Sequence, residues 1–234
     1  MTNISYTCDI QRMSFTALSA HTCAVASTSE ERPVCLMIPT YAPDGRLVVA
    51  IGDRAFAGLT SLCAVILPDS VQSIGRRAFA FCSSLEEIHV GRNSHLCHIG
   101  NRAFTGCERL TVLRLGHLRR NLVCEANAFA YCTQLRSVIL PVAMTELSEG
   151  MFEGCRRLTH VGLPASLSTI GAAAFSACTS LRHVTLPQSV RFIGEGAFAW
   201  CGSLEPLHLP DGECVISVSA FRECPAQPDF MMAS

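Results

Sequence analysis

Hydrophobic positions along this chain fall into a block that returns every two dozen residues. Its clearest copy is STIGAAAFSACTSLRHVTLP, residues 168–187. Phe56, Phe79, Phe104, Phe129, Phe152, Phe175, Phe198 and Phe221 mark successive copies, at spacings of 23, 25, 25, 23, 23, 23 and 23 residues. Such a period is the signature of a solenoid, in which each unit buries its apolar side only against its neighbours. The third residue after each Phe is Cys (Cys82, Cys107, Cys132, Cys155, Cys178, Cys201, Cys224), except for Leu59 in the first copy. The sixth is Leu, and aliphatic residues follow three and then two positions later, as in Leu181, Val184 and Leu186. This spacing predicts a short strand with its first, fourth and sixth side chains inward. A Pro with no N–H to offer ends most strands (Pro68, Pro141, Pro164, Pro187, Pro210). A second apolar group with Gly follows, as in Val190, Ile193 and Gly194, and the Gly suits a corner with an unusual dihedral. Ala-Phe then predicts one helical or 3-10 turn carrying Phe and Cys on its inner side.

Written out, the unit is SVxxIGxxAFxxCxSLxxVxLP. It resembles the BspA-type leucine-rich repeat, also called the Treponema pallidum type, over about residues 47–225. The resemblance implies a right-handed α/β solenoid with a parallel concave sheet and short helical or 3-10 turns on the convex side. It also implies protein binding and, in larger secreted members, adhesion to host components.

The expected organisation is a cap or leader over 1–32, an array of about eight coils over 33–225, and a tail over 226–234. Ile4, Tyr6, Cys8 and Ile10 alternate with polar residues and predict one half-buried strand. A cap would close the open core of the first coil. The tail, with Phe230, Met231 and Met232, reads as a second cap or a contact for another chain. The array slips by two residues within 91–100 and again within 116–125, where extra residues are expected to bulge and distort the coil. The fifth copy replaces Ile-Gly by Leu147-Ser148 and Ala by Met151.

Composition narrows the function classes. Hydrophobic residues make up 49% and charged residues 16%, so apolar groups must reach the surface, which favours an interaction surface. A net charge of −1 argues against a nucleic-acid platform or an anionic membrane surface. No apolar run is long enough for a transmembrane helix. The start lacks a basic region, so a signal peptide has weak support. Fourteen Cys would suggest a disulfide framework, but seven occupy one inward slot and read as stacked structural thiols. Free thiols lean toward a cytoplasmic setting, whereas the family leans toward export or surface display.

Candidate contacts lie on the outward strand positions. The third and fifth positions give Cys35, Met37, Ala64 and Ile66 as an apolar N-terminal end. Glu87, His89, Val112 and Arg114 form a mixed middle, followed by Ile139, His160 and His183. The apolar cluster reads as a partner or ligand groove, or as a surface covered by the N-terminal segment. His160 and His183 on neighbouring rungs could approach a Zn²⁺, but no third ligand is evident. No nucleophile, phosphate-loop or dinucleotide motif occurs, and a Cys–His pair involving Cys63, Cys97 or His98 has little to support it. The expectation is a non-enzymatic scaffold without cofactor. Its partner is a protein or an apolar ligand; the alternative is a homo-oligomer that buries the apolar face.

Overall fold

A computed structural model describes residues 12–29, 32–118 and 121–225; the expected strand over 4–10 and the tail over 226–234 lie outside it. The chain winds into a β-solenoid of about eight turns, stacked by three ladders. The first holds the L-x-x-L-x-L strands. It comprises Cys35–Met37, Ala64–Leu67 and Glu87–Val90 in one parallel sheet, and Val112–Arg114, Ser137–Ile139 and His160–Gly162 in another. The second holds the Ile-Gly segments. Leu47–Ile51, Ser73–Ile74, His98–Ile99 and Val123–Cys124 pair in order, as do Glu146–Leu147, Thr169–Ile170, Phe192–Ile193 and Val215–Ile216. At the N-terminal side, Met13–Ala17 and Thr22–Thr28 form an antiparallel hairpin, and Thr22–Thr28 pairs parallel with Leu47–Ile51. Cys23 and Val25 of that hairpin join the core.

The third ladder is made of turns, at the segments for which one helical or 3-10 turn is expected. No α-helix occurs among the described residues, and the Ala-Phe segments are runs of tight turns. Ala78, Ala80 and Cys82 donate their N–H groups to the carbonyls of Gly75, Arg77 and Phe79, three residues back. A helix cannot propagate because left-handed residues flank each of the first seven Phe. Two positions before the Phe stand Arg54, Arg77, Arg102, Asn127, Gly150, Ala173 and Gly196; two positions after stand Gly58, Phe81, Gly106, Tyr131, Gly154, Ala177 and Trp200. All have φ between 53° and 77°. The peptides left over bond forward to the next coil. Arg77, Phe79 and Phe81 donate to the carbonyls of Asn101, Ala103 and Thr105, and Arg102, Phe104 and Gly106 to those of Ala126, Ala128 and Ala130. Turn residues thus pair from coil to coil as strand residues do.

Inside these ladders the eight Phe rings are fully buried and stacked, centroid to centroid, at 5.1–5.9 Å. Beside them run the thiols. Cys82, Cys107, Cys132, Cys155, Cys178 and Cys201 each donate to the Phe carbonyl of the preceding coil at 3.1–3.4 Å. Cys therefore supplies a small apolar volume and one buried donor. Leu59 fills the slot in the first copy, where no Phe of an earlier copy offers a carbonyl.

The Gly of the Ile-Gly pair has a different cause from the expected one. Gly75, Gly100, Gly171 and Gly194 are absent from the positive-φ positions. A Cβ on any of them would lie 2.6–2.8 Å from a backbone atom of the preceding coil, so close approach excludes the side chain. Gly194→Ala should therefore cost about 2 kcal/mol by forcing two coils apart. Gly162→Ala, whose Cβ meets nothing within 4 Å, should change stability by less than about 0.5 kcal/mol. Urea titrations of both variants check this, and equal effects would refute it.

The ladders divide at the two slips. Val112–Arg114 does not pair with Glu87–Val90, and Glu146–Leu147 does not pair with Val123–Cys124. At the second division the Ser148 hydroxyl donates to the Glu125 carbonyl instead, and the Phe129–Phe152 step of 5.9 Å is the widest in the column.

Candidate binding surface

The strand ladder places the outward residues in two parallel rows. Cys35, Ala64 and Glu87 are register neighbours, as are Met37, Ile66 and His89. Beyond the division, Val112, Ser137 and His160 line up, beside Arg114, Ile139 and Gly162. Period-2 alternation sends Leu36, Val65, Leu113 and Val138 into the core and these residues outward. Met37 is 39% and Ile139 49% exposed, while Cys35, Ala64, Ile66 and Val112 are half-buried.

His183 lies outside any strand. It nonetheless shares a shallow depression of about 450 Å³ with His160, Arg182 and Ser203. Each ring has its own partner: His183 Nδ1 stands 3.1 Å from Glu205 Oε2, and His160 Nδ1 2.8 Å from Thr159 Oγ1. No group of three metal-ligating side chains occurs among the described residues.

The division between Glu87–Val90 and Val112–Arg114 opens a groove of about 930 Å³, lined by Glu87, His89, Arg92, Val112, Arg114 and His117. His89 Nε2 and Glu87 Oε2 meet at 2.8 Å, and Arg109 reaches Glu86 at 3.4 Å. All four side chains are more than half exposed, so these pairs shape the charge pattern and add little stability. The groove offers carboxylate, imidazole and guanidinium beside the apolar Val112. That mixture suits the polar rim and apolar centre of a protein contact.

The buried thiols of the core are poorly placed for chemistry. Burial pushes Cys82 up to about 11 and Cys124, Cys132 and Cys201 up to about 12, and it holds Cys107, Cys155 and Cys178 well above the usual thiol range. Neutral thiols of this kind are weak nucleophiles. His98 turns to Glu125 at 3.1 Å, and Cys97 donates to the Gln72 carbonyl at 3.5 Å.

Two exposed features were missed in the sequence. Val123, Phe192 and Val215 stand outward on the second ladder. Phe81, Tyr131 and Trp200 stand outward on the turn ladder, 62%, 50% and 51% exposed. Their spacing from the buried Phe column, two residues after Phe79, Phe129 and Phe198, carried the signal.

A stacked-coil array with a recurring interior and a varied outward strand face is a leucine-rich-repeat architecture. Residues 45–121 and 120–227 match the family described as "BspA type Leucine rich repeat region (6 copies)", and the chain belongs to this family. Among solved structures it is similar to the T. pallidum leucine rich repeat protein, at 25% identity and a TM-score of 0.68, over 97% of this chain and 94% of that one. A leucine rich cell surface protein from Faecalibacterium prausnitzii is also 25% identical, with a TM-score of 0.66, over 97% of this chain and 76% of that one. A leucine-rich repeat protein from Bacteroides ovatus shares 26% identity at a TM-score of 0.51, over 91% and 67% of the two chains. No curated protein matches the chain. No helix among the described residues is long and apolar enough to cross a membrane.

Proposed function

We propose that the chain is a non-enzymatic protein-binding scaffold whose partner docks on the outward strand rows. The observation behind this is the groove at the strand division, with exposed Met37 and Ile139 on the sheets to either side. Strands hold these side chains at fixed spacing, so binding would cost little conformational entropy. The apolar rows would supply the centre of the contact, and Glu87, His89 and Arg114 its rim. The Faecalibacterium relative is described as a cell surface protein, and adhesion or host interaction is the corresponding role here. The hairpin over Met13–Thr28 would serve as the N-terminal cap, because it continues the second ladder and contributes Cys23 and Val25 to the core.

Affinity capture with the wild type, Met37→Arg and Ile139→Arg tests the reading. Either Arg should reduce recovery of a specific partner by at least ~10-fold, since it places an unpaired charge in the centre of the contact. Recovery unchanged by both substitutions would remove the strand face from consideration.

A further inference from the structure

The turn ladder carries side chains that its own packing does not need. Among the described residues ten other than Gly are left-handed, and five of them, Arg77, Phe81, Arg102, Asn127 and Tyr131, line one cleft of about 270 Å³. A side chain is strained in that conformation, and Gly is the unstrained choice. Gly58, Gly106, Gly150, Gly154 and Gly196 make that choice at the same positions of other coils. Strain gathered around a cleft points to use rather than packing. Thr105 forms the floor, 5% exposed, with its hydroxyl donating to the Ala130 carbonyl at 3.2 Å. Phe81 and Tyr131 form the walls. Each leans over a Gly of the next coil, Gly106 and Gly154, where a Cβ would lie 2.7 Å and 2.6 Å from the ring atoms. Arg77, Arg102 and Asn127 follow one another along one side, two residues before the Phe of successive coils. Arg46, Arg76 and Arg109 find carboxylates, whereas the Arg77 and Arg102 guanidiniums make no ion pair or hydrogen bond among the described residues. Glu153 closes the far end. It accepts from the Tyr131 hydroxyl at 2.7 Å, and this bond pushes the phenol above its ordinary range against the opposing charge of Arg102. The cleft is thus cationic at the second and third coils and anionic at the fifth.

We infer that this cleft binds a phosphate monoester of a single aromatic ring. Phe81 and Tyr131 belong to coils two apart and lean the same way, which separates their rings by roughly 10 Å at about 5 Å per coil. A flat ring midway would lie about 5 Å from each, within the spacing of offset-stacked aromatic pairs. The buried Phe column steps by the same amount, 5.1–5.9 Å. At Trp200 the chain supplies its own flat group, the Arg222 guanidinium 5.9 Å from the ring centre. Two guanidiniums without a partner match the double charge of a phosphate monoester. With the Asn127 amide they offer donors to its three terminal oxygens, whereas a carboxylate would leave one Arg unmatched. The volume lies at the small end for ligand pockets, which limits the ligand to one ring. The outward strand rows contribute nothing to this site, so it stands apart from the docking of a partner there.

Calorimetric titration with phenyl phosphate, inorganic phosphate and phenol tests the site. The wild type should bind one phenyl phosphate per chain, inorganic phosphate at least ~10-fold more weakly for want of the stacked ring, and phenol not measurably. Arg77→Gly and Arg102→Gly should each weaken phenyl phosphate by at least ~10-fold. Neither should lower the thermal midpoint, because Gly suits the left-handed backbone that Arg is strained to adopt. Lost binding at undiminished stability separates a binding role from a structural one. Glu153→Gln should tighten phenyl phosphate, since it removes the one carboxylate of the lining. A phosphotyrosyl peptide in the same titration distinguishes the two sources of such a group. Binding as tight as that of phenyl phosphate assigns a side chain of a partner, and rejection of the peptide assigns a free aryl phosphate. The inference falls if phenyl phosphate shows no saturable binding to about 10 mM, or if inorganic phosphate binds as tightly. It also falls if both Gly variants bind like the wild type, or if both lower the thermal midpoint, which would assign the two arginines to packing.

Discussion

Raising the pH from 9 to 11 is expected to unfold the protein. Thiols ordinarily titrate near 9.0, and in the unfolded chain these would too. In the fold, burial holds Cys124, Cys132 and Cys201 neutral to about 12 and Cys82 to about 11, with Cys107, Cys155 and Cys178 also well above 9.0. These are raised folded-state values, so their contribution is complete below pH 9 and is lost as pH climbs from there toward the folded values. Above pH 9 the unfolded chain sheds protons that the folded chain retains. Each such thiol lowers stability by about 1.4 kcal/mol per pH unit. Seven together amount to roughly 10 kcal/mol per unit, against a typical total of about 5–15 kcal/mol. Circular dichroism under reducing conditions, followed against pH, gives the midpoint, and urea titrations at several pH values give the slope. Cys132→Val should lower the number of protons released on unfolding by about one. The Phe104 carbonyl keeps its bond from the Cys107 N–H in that variant, so the cost near neutral pH should stay near 1 kcal/mol. Stability that is flat to pH 11 would refute this account of the thiol column.

Phe129→Ala is expected to cost about 3–5 kcal/mol. The ring is fully buried and stacks against Phe104 at 5.3 Å and Phe152 at 5.9 Å, so its removal opens a cavity and breaks two aromatic contacts. Neither neighbour can collapse into the space without leaving its own coil. Phe56→Ala removes one stacked contact rather than two and should cost less. Urea unfolding of both variants checks the order. A loss below about 1 kcal/mol at Phe129 would mean that the rings are not what holds the coils in line.

The interior of this protein was legible because one slot recurs in one chain. Phe, Cys and Leu at fixed offsets named the core, the strand and the side facing inward. What escaped was set by backbone geometry. Nothing in the letters Arg-Ala-Phe-Ala-Phe announces left-handed conformations at Arg77 and Phe81, yet these convert a helical turn into a ladder of turns. The Gly of Ile-Gly was read as a matter of dihedral angle, whereas it reflects the approach of the preceding coil. The hairpin over Met13–Thr28 was not foreseen, because residues 14–30 carry Ser, Thr and Ala in place of the apolar alternation of later strands. Of the surface, the rows Cys35–Ala64–Glu87 and Met37–Ile66–His89 followed from periodicity. His183 did not join a strand, and no periodicity could reveal that the sheet stops short of it.

The turn ladder has one more consequence. In the strand ladders, neighbouring peptides point alternately up and down the axis and their dipoles cancel. In the turn ladder, Arg54, Phe56 and Gly58 all direct their N–H groups toward the following coil, and the same three positions do so in the next five coils. About three aligned peptides per coil of ~5 Å approaches the density of an α-helix, with 3.6 residues per 5.4 Å turn. A molecule without an α-helix among its described residues therefore carries a helix-like macrodipole, negative toward Phe56 and positive toward Phe221. Arg54, Arg76 and Arg77 gather at the negative pole and Glu195 and Glu223 toward the positive one, so the side chains compensate the backbone's own electrostatic polarity.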